Sequence, residues 1–380
     1  MPGPAEAAYE LKFRDPAKAR ALCAALDREV KAIGRDPVNV MHVCGSHEQA
    51  IARFGLRAVF PRELAVIMGP GCPVCVTDTP EVDEAVALAA MGARVCTYGD
   101  MLKLPGTSRS LGDVQGEGGK VEVVYSVSQA VEIAQRHPRE QVVFFGSGFE
   151  TTAVATAAVI LAGVPENFSV LSAHKWVPAA MEVVASLEET NIEGYIAAGH
   201  AAIITGWEIF EPFAKKARAP VVVAGFEPLD VLAALVKLVE LIREGRHEVA
   251  NMYPRCVTRE GNRPAQEKLW KVFQTKSGDW RGIARVPSGN LDLRPEFAHV
   301  DARQRFQIDT SLVGGKTENV LAAQCICGEI MSGLKQPGHC TIFGTQCTPD
   351  SPVGACMVSS EGACRIWYQY GGVPDLKEVG

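Results

Sequence analysis

The sequence is short of three things, and each shortage removes a class of function. It has no excess of positive charge: 38 Lys and Arg stand against 44 Asp and Glu, a net charge of −6. Nothing in that balance draws the chain to nucleic acid or to an anionic membrane, so neither is expected as a partner. It has no long apolar run. The longest, such as residues 154–164, are short and alanine-rich, well under the roughly 20 residues that span a bilayer as a helix. Residues 1–12 mix Pro, Gly, Glu and Ala without a basic stretch leading into an apolar one, which is the pattern of a secretory signal. The expectation is a soluble, cytoplasmic protein.

What remains is ordinary globular material with one peculiarity. Hydrophobic residues make up 47% and charged residues 22%, which argues against extended disorder. At 380 residues the chain exceeds one ordinary core, so two or three domains are expected. The peculiarity is cysteine: there are 12, and six of them fall between Cys325 and Cys364. Without a secretory signal, thiols clustered in this way are better read as metal ligands or redox groups than as structural disulfides.

Short β-rich runs alternate with helical patterns along the first two thirds. Residues 38–43, 64–68, 94–98 and 121–125 read as strands, and a second series follows at 141–145, 169–173, 194–198 and 220–225. Helical patterns occupy 81–91, 152–162, 179–189 and 229–244. Apolar strands that do not alternate with polar residues indicate parallel sheets covered on both faces. A Gly-rich break at 111–120 reads as a loop or flexible edge. The fold expected is α/β: two tandem Rossmann-like, doubly wound lobes over 38–126 and 127–245. A smaller cysteine-rich iron–sulfur domain is expected over 246–380, with the N-terminal segment 1–37 packing on it.

In open parallel sheets, ligands bind beyond the carboxyl ends of the strands. The chemically capable residues gather there. Strand 38–43 runs into Cys44-Gly45-Ser46-His47-Glu48, and strand 64–68 into Gly69-Pro70-Gly71-Cys72-Pro73-Val74-Cys75. Strand 141–145 runs into Gly146-Ser147-Gly148-Phe149-Glu150-Thr151-Thr152; later strands end on His174-Lys175-Trp176 and near His200. A shared cleft between the lobes follows.

Cys72 and Cys75 form a C-x-x-C unit ahead of a helix start, where thiolates are stabilised and a disulfide can close reversibly. Half of a structural zinc site is the competing reading, but no second half lies nearby. Cys44 and His47 share one loop and suit a metal or a nucleophile–base pair; a buried thiol beside a capping imidazole is as good a reading of that loop alone. Glu150, Thr151 and Thr152 offer a carboxylate and hydroxyls at a helix start, as anion binders or as plain caps. Cys327, Cys340, Cys347 and Cys364 stand at spacings of 12, 6 and 16 residues in a Gly/Pro-rich frame. Four such thiolates can enclose a 4Fe–4S cube or a zinc ion. Structural zinc usually takes two close Cys pairs, and these four contain none, which favours the cluster. Cys325 and Cys356 are then spare, while Cys23, Cys96 and Cys256 suit a small apolar role.

Taken together, residues 41–48, 69–75, 148–152 and the four C-terminal cysteines resemble the HypD family of hydrogenase maturation proteins, with the motifs in the same order from about 38 to 370. Ser46 stands where Thr or Gly is usual and Val154 where Pro is expected. The resemblance implies a scaffold on which iron receives two cyanides and one carbon monoxide, the Fe(CN)2CO group of nickel–iron hydrogenases. It implies three partners: a small protein, HypC, that shares the iron site; HypE, which donates cyanide; and an electron donor. Carried onto this chain, it makes Cys44 the iron-holding thiolate with His47 beside it. Cys72 and Cys75 become a redox dithiol, and Cys327, Cys340, Cys347 and Cys364 the ligands of a 4Fe–4S cluster. Two other classes compete: a stand-alone iron–sulfur thiol–disulfide oxidoreductase, which has no use for Cys44, and a small-ligand-binding protein with structural zinc.

Overall fold

The computed structural model describes residues 13–314 and 320–372. Val- and Ile-rich runs form eleven strands among the described residues: β1 (Val38–His42), β2 (Leu64–Met68), β3 (Arg94–Thr97), β4 (Val121–Val123), β5 (Val142–Gly148), β6 (Phe168–Lys175), β7 (Gly194–Ala198), β8 (Val221–Ala224), β9 (Val249–Asn251), β10 (Phe273–Trp280) and β11 (Ala284–Leu293). The first sheet is wholly parallel, in the order β2-β1-β7-β8-β9. The second runs β10-β11-β6-β5-β3-β4, parallel except for the β10–β11 hairpin added antiparallel at its edge. Strands such as β5, β6, β7 and β8 are buried along their length, as parallel strands covered on both faces must be. The fold class is α/β with two parallel-dominated sheets.

The sheets do not divide the chain at 126/127. After β2 the chain leaves the first sheet, builds β3 to β6 of the second, and returns with β7, whose Gly194 lies opposite Val40 of β1. Each lobe is therefore discontinuous in sequence. Nor is 246–380 a separate unit, since β9 completes the first sheet and the β10–β11 hairpin the second. Parallel pairing leaves no local mark: a crossover can return to any free edge, so strand existence is legible and strand partnership is not.

Two further expectations are corrected. The helix Pro16–Ile33, capped by Asp15, whose carboxylate accepts from Ala17 N at 2.8 Å, packs on the first sheet's outer helix Pro228–Arg243. Leu26 and Val30 join Leu235 and Leu238 in one apolar cluster, and Arg243 reaches Glu29 at 2.7 Å. The main packing of this helix is thus on the first sheet, while Phe13 just ahead of it meets Arg255 of the 246–380 region at 4.2 Å; residues 1–12 lie outside the described residues. The Gly-rich break at 111–120 contains a short helix, Leu111–Gly116, closed by a Ser110–Asp113 capping box. Among the described residues no helix is long and apolar enough to cross a membrane.

The helix that follows the C-x-x-C loop is tied to the second sheet by a buried ion pair. Helix Thr79–Ala90 follows that loop, and its Glu81 accepts from the buried Lys175 Nζ at the end of β6 at 2.8 Å through both oxygens. Asn290 of the hairpin completes the ammonium's shell at 3.0 Å. A buried pair of this kind contributes little net stability, but removing one partner leaves an uncompensated charge and costs about 3–5 kcal/mol.

Candidate functional site

At the carboxyl end of β1, Cys44 is the N-cap of helix Gly45–Arg53. It is buried against Ala198, Ala201 and Phe226, from the ends of β7 and β8. Burial, reinforced by the Glu361 carboxylate, pushes its thiol up to about 12. It therefore rests as a neutral thiol that a bound cation would deprotonate. One turn on, His47 is buried with Nε2 3.0 Å from the Gly225 carbonyl oxygen. A carbonyl only accepts, so Nε2 carries the proton and Nδ1 keeps a bare lone pair. That Nδ1 is buried without a hydrogen-bond partner among the described residues. Burial, with His42 and His200 nearby, lowers the imidazole to about 3. A neutral ring with an uncommitted lone pair is what a metal or a transferred proton requires.

Sequence alone puts His200 only near a strand end, and the structure gives it a defined place. Phe226 is sandwiched between His47, at 4.8 Å, and His200, at 5.1 Å. Phe226 carries no chemical signal in sequence, and only the pairing of β1 with β7 and β8 brings the three rings together. His174 is different. Its ring nitrogens lie 3.0 Å from Ser172 Oγ and 3.3 Å from Thr156 Oγ1, so its hydrogen-bonding capacity is spent inside the second sheet.

The C-x-x-C loop runs against the Cys44 loop. Gly45 N donates to Gly71 O at 3.0 Å, and a Cβ on Gly71 would sit 2.1 Å from Cys44 N, an approach only glycine permits. Cys72 and Cys75, both buried, are closed as a disulfide. Cys72 caps the short helix Pro73–Val76, its sulfur accepting from Cys75 N at 3.1 Å. On its far side, Cys75 Sγ lies 3.8 Å from the Ala355 carbonyl oxygen, one residue from Cys356. Thiol trapping should show Cys72 and Cys75 gaining alkyl groups together after reduction, as a single two-electron couple. One sulfur labelled while the other stays blocked would contradict this.

Glu150 opens helix Glu150–Ala162, two residues earlier than the periodicity indicates. Its carboxylate is buried: Oε1 accepts from Val177 N at 2.9 Å, capping the next helix, while Oε2 is without a hydrogen-bond partner among the described residues. Burial raises its pKa to about 7. A raised folded-state value means the native state holds a proton that the unfolded chain releases from its ordinary range upward. Stability therefore falls as pH rises from about 4.5 to about 7. Glu150→Gln keeps the acceptor and removes the charge. Urea unfolding should find it about 2–3 kcal/mol more stable than the parent at pH 8 and near parity at pH 5; equal stabilities at pH 8 would contradict this. Thr151 and Thr152 lie half-buried in the same first turn, and Thr152 leaves no room for a side chain at Gly148, where a Cβ would come within 2.4 Å of it.

The C-terminal cysteines come from short helices and turns packed on this region: helices Cys327–Met331 and Ala363–Tyr370, with Cys340 and Cys347 between them. Cys356 N donates to Cys327 Sγ at 3.3 Å and Val353 N to Cys347 Sγ at 3.4 Å. Cys356, set aside as spare, lies in the same group, its sulfur 2.7 Å from that of Cys327. Hydrogen bonds from Cys325 and Cys356, helped by the Arg281 guanidinium, hold Cys327 well below the ordinary thiol range. The Cys325 and Cys356 thiols are pushed upward by their bonds to it. The amide donors to the Cys327 and Cys347 sulfurs are of the kind that iron–sulfur ligands accept, and Cys327, Cys340, Cys347 and Cys364 are the residues that would hold a 4Fe–4S cluster. Among the described residues no three His, Cys, Asp or Glu side chains converge on a single ion. Of the remaining cysteines, Cys96 is buried in β3 as an apolar residue, whereas Cys256 is exposed, contrary to that reading.

Comparison with known proteins gives a consistent result. The model of the HypD family, described as "Hydrogenase formation hypA family", matches residues 17–371. The chain is 40% identical over 376 residues to the hydrogenase maturation factor HypD of Rhizobium leguminosarum bv. viciae, covering 95% of this chain and 96% of that one. It is 40% identical to the HypD of Cupriavidus necator over 98% and 99% of the two chains. To that of Azotobacter vinelandii it is 41% identical over 96% and 97%.

Proposed function

The chain belongs to the HypD family of hydrogenase maturation factors, and we propose that within hydrogenase maturation it is a redox-active scaffold on which iron receives its cyanide and carbon monoxide ligands. The supporting observation is the adjacency of three thiol groups. The Cys44 and Cys72 loops share a backbone hydrogen bond, and Cys75 abuts the segment carrying Cys356. A stand-alone thiol reductase has no reason to bury Cys44 and His47 beside its disulfide.

In this reading the iron is cargo. The Cys44 thiolate holds it, with the neutral His47 ring and its free Nδ1 one turn on, the displaced thiol proton passes to solvent, and HypC supplies the rest of the site. Cyanide arrives on HypE as a thiocyanate. Its S–C bond is cleaved by two electrons and two protons, all supplied by the dithiol: thiocyanate and the reduced Cys72–Cys75 dithiol give the HypE thiol, the disulfide and hydrogen cyanide. The closed disulfide is the oxidised half of that exchange. Cys327, Cys340, Cys347 and Cys364 would hold a 4Fe–4S cluster, which would supply single-electron chemistry from an external donor. Cys75 and Ala355 provide the short contact between dithiol and cysteine-rich segment.

The test is replacement of Cys72 by Ser in cells that need a maturated hydrogenase. Maturation should be lost while the purified variant keeps its iron and sulfide. A variant that still matures hydrogenase would remove the dithiol from the mechanism.

A further inference from the structure

Glu48 lies one turn beyond Cys44 in helix Gly45–Arg53, and it is fully buried. Three side chains converge on its carboxylate. Oε2 lies 2.8 Å from Arg57 Nη2 and 2.9 Å from His42 Nε2; Oε1 accepts from Trp367 Nε1 at 2.6 Å. The other nitrogen of His42, Nδ1, lies 3.1 Å from the Cys44 carbonyl oxygen and must donate to it. The network thus ends on the backbone of Cys44. Its other end is Trp367, in helix Ala363–Tyr370, three residues after Cys364. The Arg57 guanidinium covers the Trp367 ring at 5.4 Å. The two segments also meet at Gly45, where a Cβ would sit 2.4 Å from the Glu361 carbonyl oxygen.

We propose that Glu48 is a positioning residue for Cys44, and that it makes the orientation of this thiol conditional on docking of the C-terminal cysteine-bearing helix. A buried carboxylate keeps its place only while its hydrogen bonds are made, and each charge-assisted bond lost leaves desolvated charge behind. If helix Ala363–Tyr370 withdraws, Oε1 loses its donor and the carboxylate is drawn toward water. His42 then loses its anchor and Cys44 its backbone restraint. Order in the cysteine-rich segment is in this way transmitted to the thiol some 320 residues earlier in the chain. The consequence for maturation rests on the reading of Cys44 as the iron-holding thiolate; the coupling itself does not.

The test is alkylation of the full-length protein by iodoacetamide, followed at Cys44 and Cys96 by peptide mass spectrometry. Cys96 is an equally buried free thiol in the second sheet, remote from the network, so it reports global unfolding. Trp367→Phe removes one N–H and little volume. It should speed alkylation of Cys44 about tenfold, the worth of one charge-assisted hydrogen bond, and leave Cys96 unchanged. Glu48→Gln should do at least as much, and if it fails to fold, Trp367→Phe decides alone. An unchanged Cys44 rate, or equal acceleration of both thiols, overturns the proposal. The assay needs no iron, so a failure of the scaffold reading leaves its result standing, and the converse also holds.

Discussion

Alanine at Cys327, Cys340, Cys347 or Cys364 is expected to strip the purified protein of most of its iron and acid-labile sulfide, whereas alanine at Cys325 or Cys356 leaves most of both in place. Proximity alone does not make that distinction, because Cys356 lies 2.7 Å from Cys327. The distinction rests on the proposed ligand set and on what holds each sulfur. Cys327 receives the Cys356 amide and faces the Arg281 guanidinium. Arg281 is itself fixed, donating from Nε to Thr77 O at 2.7 Å and from Nη2 to Pro105 O at 2.8 Å. Deleting Cys327 therefore removes a proposed ligand that amide and guanidinium donors already hold, while Cys325 and Cys356 lie outside the proposed set. Iron and sulfide determination on anaerobically purified variants checks this. A Cys325→Ala protein without iron beside an iron-replete Cys327→Ala protein would reverse the ligand assignment.

Much of this architecture can be read without coordinates, and the reason differs from element to element. Strands at 64–68 and 194–198 are legible to the residue because they are short apolar runs bounded by Gly and Pro. The β10–β11 hairpin is not, because Gly278, Gly282, Pro287 and Gly289 interrupt its alternation and its burial is irregular. Helix Pro16–Ile33 is amphipathic, yet nothing in its own residues says that its partner is Pro228–Arg243.

The site divides in the same way. Cys44, Cys72 and Cys75 carry their chemistry in their residue type, and the strand-end rule suffices to place them together. Phe226 and Glu48 do not announce themselves: one is a phenylalanine after β8, the other a glutamate in the middle of a helix. Their roles arise from partners 179 and 319 positions away in sequence, His47 and Trp367. Glu150 is legible as a carboxylate at a helix start, but that its Oε1 caps the neighbouring helix at Val177 N is not.

The largest single effect expected is that of Cys44→Ala. A scaffold must present iron to incoming diatomics through a group that faces the cleft, and a soft thiolate at a strand end suits low-spin ferrous iron. Cys44 is the cysteine closest in sequence to the free Nδ1 of His47, and its thiol is neutral until a cation displaces the proton. The cluster ligands belong to other segments, so the substitution should leave the visible spectrum of the purified protein unchanged. The decisive measurement is the infrared spectrum of the chain copurified anaerobically with HypC, its proposed partner, wild type beside Cys44→Ala. The wild-type complex should show the stretching bands of iron-bound cyanide and carbon monoxide, and the variant none. Bands that persist undiminished in Cys44→Ala would mean that the iron is held elsewhere and would contradict the scaffold mechanism.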